Sequence, residues 1–233
     1  MLWMLLSCML SFQEEENLKS ISVEQTQAAH HFNYSKAIKS SVRLVVVNDD
    51  KVELGHASGN YFKVGRHHFI LTAAHAVGDG EFLMYVEDGA VMVPIEVAHY
   101  DKENDLAIVV PSIKLTTIKP IDYRINKKID ITGETVVHAG YPADLGLSVF
   151  NGTVSICAES NFMMQSFALP GSSGSVVFDN KGRIVGVLSA LKMGYYGHSP
   201  FPQLHPTMVY VARIRQLSRK DIKGIIVKWN SLR

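Results

Sequence analysis

An all-β fold, a barrel or a sandwich, is what this 233-residue sequence predicts, and three observations carry the expectation. After Ser41 the chain breaks into short runs rich in valine, isoleucine, threonine and aromatic residues, each bounded by turn residues. No long amphipathic helix separates those runs. With 47% apolar residues and only two cysteines, Cys8 and Cys157, no disulfide framework holds the fold, so a packed core must.

The expected strands follow one another at regular spacing. The first, 42–48, is a valine-rich run ended by Asp49-Asp50, and 52–57 and 61–64 lie on either side of Ser58-Gly59-Asn60. Residues 69–72 run into the small pair Ala73-Ala74, 82–86 and 91–99 flank Asp88-Gly89, and the strongly apolar 106–110 stops at Pro111. A second series begins after Gly133: 135–139, ended by Gly140-Tyr141-Pro142, then 148–156, 162–167, 176–178, 183–190 and 208–212. Residues 218–229 read either as a helix or as a last strand. Ile222, Ile225, Ile226 and Trp229 have helical spacing, while Ile225-Ile226-Val227 favours a strand.

Ahead of the strands, residues 1–12 are almost wholly apolar and are followed by Glu14-Glu15-Glu16. They are too short to span a bilayer and lack the basic start of a signal peptide. They read either as a weak membrane-associating segment, with a lean to an extracytoplasmic or membrane-associated location, or as an apolar tail packed on the domain. Residues 13–40 form a polar arm, in which 36–39 has the pattern of the last turns of a helix. Basic and acidic residues number 23 and 22, with no long run of one sign, which excludes a nucleic-acid partner.

Three short motifs carry chemistry. Leu71-Thr72-Ala73-Ala74-His75 is a strand end that delivers an imidazole onto a turn, a group that titrates near neutrality as a general base and acid require. Asn104-Asp105-Leu106-Ala107-Ile108-Val109 sets a carboxylate at the head of an apolar strand, where it needs a donor such as a ring N–H. Pro170-Gly171-Ser172-Ser173-Gly174-Ser175 is a tight turn whose glycines let backbone N–H groups converge beside a hydroxyl. The order His75, Asp105, Ser173 differs from that of α/β-hydrolases and of subtilisin-like enzymes. His67-His68 fits no zinc spacing, so no metal and no cofactor is expected.

These segments resemble the three signatures of the chymotrypsin-like (trypsin-like) serine peptidases. Gly140-Tyr141-Pro142 and Gly152-Thr153-Val154-Ser155 make the resemblance nearest to the HtrA/Deg type. It implies two antiparallel six-stranded β-barrels with the active site in the cleft between them. The first barrel would span about 41–125 and the second about 126–217, leaving 218–233 as a tail or helix, too short for the PDZ domain usual in that type. It further implies a triad of His75, Asp105 and Ser173, an oxyanion hole made by the N–H groups of Gly171 and Ser173, and a polypeptide substrate. Phe167 would floor the primary specificity pocket, and Ser189, Ala190 and Leu191 would form one wall. A non-acidic floor implies cleavage after apolar rather than basic residues. Trimers built through the N-terminal arm are a further implication. Where the family has Gly-Pro after the nucleophile's Ser-Gly, this chain has Ser175-Val176, for which altered packing rather than lost activity is expected. The competing expectation is a catalytically inactive scaffold that binds a peptide or protein.

Overall fold

Strand β1 (Ser41–Val47) pairs antiparallel with both β2 (Glu53–Val64) and β4 (Leu83–Asp88), and this double pairing closes a sheet into a barrel. The ring is completed by β3 (His67–Thr72), β5 (Val91–Asp101) and β6 (Leu106–Pro111). A two-residue strand, β7 (Ile121–Asp122), adds to β2 in parallel. The second barrel runs β10-β13-β12-β11-β8-β9, from β8 (Thr135–Gly140), β9 (Ser148–Cys157), β10 (Asn161–Gln165), β11 (Val176–Asp179), β12 (Ile184–Gly194) and β13 (Gln203–Arg213). Its pairings are all antiparallel. The protein is thus all-β with two six-stranded barrels. The structure is a computed structural model that describes residues 34–78, 83–143, 145–194 and 203–232. Residues 1–12, most of the arm and residues 195–202 lie outside the described residues.

Side chains alternate between two destinations along the strands, as a period of two requires. In barrel one, Tyr61, Ile70 and Val109 fill the interior with Leu44 and Val86, while their neighbours Phe62, Leu71 and Ile108 face the second barrel. Val136, Val154, Phe162, Met164, Val177 and Val211 fill barrel two. Between the barrels Phe62, Phe69, Tyr123 and Phe178 form an aromatic cluster with centroid separations of 5.6–6.4 Å. This shared core, not a linker, joins the two halves, and the Tyr123 hydroxyl donates 2.8 Å to the Leu217 carbonyl within it.

One expectation from sequence changes, and one left open is decided. Residues 52–57 and 61–64 are one twelve-residue strand. Ser58-Gly59-Asn60 does not turn, because Gly59 is pressed against Ile70, where a Cβ would lie 2.7 Å from Cγ2, and the flanking Ser58 and Asn60 are fully buried with hydrogen bonds. The ambiguous C-terminal stretch is a helix, Arg219–Ser231. A capping box decides it: Ser218 Oγ accepts from Asp221 N, the Asp221 carboxylate accepts from Ser218 N, and Ile222 and Ile226 bury one face. A helix also covers 34–40, and its Ala37 is buried in the shared core. No helix among the described residues is long and apolar enough to cross a membrane.

Candidate active site

His75 stands in the first turn of the short helix Ala74–Val77, directly after β3. Asp105 precedes β6, the strand paired with β3, so the ladder that aligns Leu71 with Ile108 also brings the two motifs together. The carboxylate grips the histidine twice. Its Oδ1 accepts from the His75 backbone N–H at 2.9 Å, and its oxygens lie 2.9 and 3.0 Å from ring Nδ1. That arrangement assigns the ring proton to Nδ1 and leaves the Nε2 lone pair of the neutral ring free to accept. Asp105 has φ +52, an uncommon left-handed conformation for a non-glycine residue, fixed by these contacts.

A third donor reaches the same carboxylate. Ser189 lies at a register shift in β12 between Leu188 and Ala190, and the bulge turns its hydroxyl to donate to Asp105 Oδ2. Burial alone would raise the Asp105 carboxyl, but the hydrogen bonds from His75 and Ser189 outweigh it and hold the group below its ordinary value.

Ser173 follows a turn whose chemistry is legible residue by residue. Ser172 N donates 2.9 Å to the Leu169 carbonyl across Pro170-Gly171, with Gly171 at φ +93, as a type II turn with proline then glycine requires. The N–H groups of Gly171 and Ser173 donate to no acceptor among the described residues, so both are available to an incoming anion. Ser173 and His75 line one cleft of about 440 Å³, together with Ala57, Ala76, Val77, Pro170 and Gly171. Ser173 Oγ makes no hydrogen bond among the described residues.

The turn is anchored to barrel one by Ser58, which the sequence reading did not single out. Its buried hydroxyl donates 2.7 Å to the Gly171 carbonyl and accepts 2.8 Å from Tyr141 N, while its backbone N–H donates 2.8 Å to the Ser173 carbonyl. His56 Nε2 lies 3.0 Å from the Tyr141 carbonyl, beside Gly171. A polar pair flanking glycine inside an apolar strand was the available signal. At the family departure, Val176 N, a group proline would lack, donates 3.0 Å to Asn60 Oδ1. Asn60 in turn donates 2.9 Å to Ser40 Oγ at the end of the helix over 34–40.

Of the other residues expected at the site, Phe167 is half-buried, with its ring 5.3 Å from Phe150, which lies 5.4 Å from His138. Ala190 is exposed, and Leu191 is half-buried against the core of barrel two. Among the described residues no group of three or more His, Cys, Asp or Glu gathers to hold a metal. His68 is instead bonded to Tyr61, with the phenol oxygen 3.0 Å from Nδ1.

The profile of the trypsin-like peptidase domain matches residues 57–187. A serine protease HtrA-like of Staphylococcus epidermidis is 32% identical over 164 residues, covering 61% of this chain and 28% of that protein. A probable periplasmic serine endoprotease DegP-like of Brucella suis is 25% identical over 143 residues, covering 58% and 28%. The chain therefore spans under a third of the length of these relatives. The fold matches the serine endoprotease from Yersinia pestis with a TM-score of 0.63 at 19% identity, over 83% of this chain and 65% of that one. It matches the inactive form of a serine-to-alanine mutant of Rv3671c from Mycobacterium tuberculosis with a TM-score of 0.59 at 15% identity, over 85% and 90%.

Proposed function

The chain belongs to the trypsin-like peptidase family, and from that premise we propose that it is a serine endopeptidase of the HtrA-like kind, cutting polypeptides through an acyl-enzyme. In this reading Ser173 Oγ attacks the carbonyl carbon of the scissile bond. His75 Nε2 takes the hydroxyl proton and returns it to the leaving amine, and Asp105 holds the tautomer and offsets the charge of the imidazolium. The N–H groups of Gly171 and Ser173 receive the oxyanion, each such donor contributing about 3–4 kcal/mol to the transition state. The observation that carries the proposal is the double hold of Asp105 on His75 in the cleft that Ser173 lines. The bond from a serine hydroxyl to its base commonly tightens only as substrate binds.

Phe167 offers no charge to a basic side chain, so cleavage follows small or medium apolar residues such as Val, Ala or Leu. Residues 189–191 pair with the substrate backbone as an added strand. An extracytoplasmic place of action accords with the likeness to the probable periplasmic DegP-like endoprotease of Brucella suis. Trimer formation through the arm belongs to the same proposal, and sizing the chain with and without residues 1–40 tests it.

The deciding experiment is covalent labelling by a fluorophosphonate together with digestion of unfolded casein. Wild type labels and cuts, with sites mapping after apolar residues. The Ser173→Ala variant does neither. Equal labelling of both proteins, or cuts predominantly after Arg or Lys, would sink the corresponding part of the proposal.

A further inference from the structure

A second cavity, of about 520 Å³, opens where the β2–β3 hairpin and the end of β6 meet the C-terminal helix. It shares no lining residue with the cleft of His75 and Ser173. Strand β3 lies between the two, since it begins at His67 and hands on to the turn of His75, roughly 16 Å of strand at about 3.3 Å per residue. Four lining residues are basic, Arg66, His67, His68 and Lys114, and none is acidic. The rest of the wall is mostly apolar, with Tyr61, Val110, Pro111, Ile113 and Ile226. We propose that this cavity binds a free alkyl carboxylate, its anionic head among the basic residues and its chain over Val110, Ile113 and Ile226.

Positive charge is in excess on this surface. Arg66 and Lys114 are exposed, and neither forms an ion pair among the described residues. Lys63 stands opposite His68 in the hairpin register, and Lys223 of the helix reaches the turn at Gly65. The carboxylates nearby lie outside the lining. Asp88 is held by Thr116 and Thr117, Asp122 is aligned with Lys63, and Glu96, aligned with Val110, has a partner. Burial, and then the positive charges of Lys114, Lys63 and His67, hold the His68 imidazole below its ordinary value, so it is mainly neutral at pH 7. The Tyr61 hydroxyl accepts from Leu115 N, so its own hydrogen goes to His68 Nδ1 at 3.0 Å and the ring hydrogen sits on Nε2. That N–H meets no acceptor among the described residues and is a donor for an anion. Ile113, beside Lys114, is 58% exposed and gains when an apolar chain covers it. The volume of about 520 Å³ is within the range of built ligand sites, about 300–1,000 Å³, which pair apolar walls with a few placed polar groups. The amide groups of a peptide would find Asn230 as the one uncharged polar side chain of the wall besides the committed Tyr61, whereas a plain alkyl chain leaves no polar group unpaired.

The imidazole resonances of His67 and His68 report occupancy of the cavity directly. Titration of the full chain with sodium octanoate at fixed ionic strength is expected to shift both saturably while His75 stays unmoved. Butyrate, four methylenes shorter, is expected to bind at least about 10-fold more weakly, since a fully buried methylene contributes a factor of about 4. Octylammonium, with the same chain and the opposite charge, is expected to give no saturable shift. Arg66→Glu with Lys114→Glu, both at exposed positions, is expected to weaken octanoate at least about 10-fold. Arg66→Gln with Lys114→Gln, which removes charge without reversing it, weakens it in the same direction and stands in should the reversal disturb folding. Ile113→Ser weakens octanoate and leaves butyrate within about 2-fold of wild type, because the shorter chain covers less of the apolar wall. Shifts that grow without saturating, an equal response to octylammonium, shifts confined to His75, or an affinity untouched by both charge variants overturns the assignment. Tighter binding of inorganic phosphate, or of the dipeptide acid N-acetyl-alanyl-leucine, than of octanoate also overturns it, in favour of a bare anion or a peptide end.

Discussion

Ser58 Oγ donates a 2.7 Å hydrogen bond to the carbonyl of Gly171, 113 residues further along the chain and on the other barrel. Because the same oxygen accepts from Tyr141 N, one hydroxyl ties β2 to both the Tyr141 segment and the Pro170-Gly171 turn that precedes Ser173. In Ser58→Ala the carbonyl and the Tyr141 N–H are both left buried without that partner, which costs about 1–3 kcal/mol of stability. Loss of turn geometry is expected to lower kcat/KM by roughly 100-fold, the effect of misplacing a reacting group by about 1 Å. Fluorophosphonate labelling rates set beside thermal melts separate the two effects. A variant as labile as expected but labelled at the wild-type rate would remove Ser58 from the account of the turn.

Gly171 admits no side chain. A Cβ there would lie 2.5 Å from the Tyr141 carbonyl oxygen and 2.6 Å from His56 Nε2, and its φ of +93 belongs to the region that favours glycine. Gly171→Ala is expected to move the peptide N–H off the oxyanion position and lower kcat by about 100-fold or more. Adding His56→Ala removes one obstacle but not the backbone carbonyl, so the double variant stays as slow as the single one. Recovery of wild-type kcat in the double variant would show that the clash with His56, rather than the backbone, controls the turn.

Much of this was legible because it is local. The unbroken apolar run Leu106-Ala107-Ile108-Val109 marks a strand buried on both faces, and Pro170-Gly171 specifies its own turn. The motifs around His75 and Asp105 lie on adjacent strands, so one ladder sets their approach. What the sequence concealed is non-local. The roles of Ser58 and Asn60 depend on partners more than a hundred residues away, at Gly171 and Val176, and a serine and an asparagine around a glycine read locally as a turn. The resemblance implies a pocket wall at Ser189, and the bulge through which its hydroxyl also donates to Asp105 leaves no local mark in the sequence. The C-terminal helix was ambiguous because its isoleucines suit either period, and only the reciprocal bonds of Ser218 and Asp221 settle it.

Restoring the family's proline tests whether the Ser175-Val176 departure is built into this core. Val176 N gives its hydrogen to Asn60 Oδ1, and Asn60 is fully buried. Val176→Pro removes the donor and leaves the amide oxygen without it, an expected loss of about 1–3 kcal/mol read from urea midpoints. Adding Asn60→Val, which withdraws the polar partner as well, is expected to cost less than the sum of the two single changes. Strict additivity would mean that the bond contributes nothing.

His138 makes stability depend on pH for a reason separate from catalysis. It is buried in barrel two with Nε2 3.0 Å from Ser166 Oγ, and its Nδ1 has no partner among the described residues. Burial pushes its pKa down to about 4, from an ordinary value near 6.5. Between those values the unfolded chain takes up a proton that the folded chain refuses. The contribution of neutral His138 is therefore complete above about pH 6.5 and drains away as the pH falls toward about 4, at roughly 1.4 kcal/mol per pH unit. His138→Gln keeps an amide beside Ser166 but removes the titration. Its urea midpoint is expected to fall less steeply than that of wild type between pH 6.5 and 4.5, with the two proteins differing by a constant amount above pH 7. Parallel profiles over the acid range would mean that the imidazole is charged inside the barrel. A charged imidazole requires an acceptor for Nδ1–H that the present packing around Phe150 does not supply.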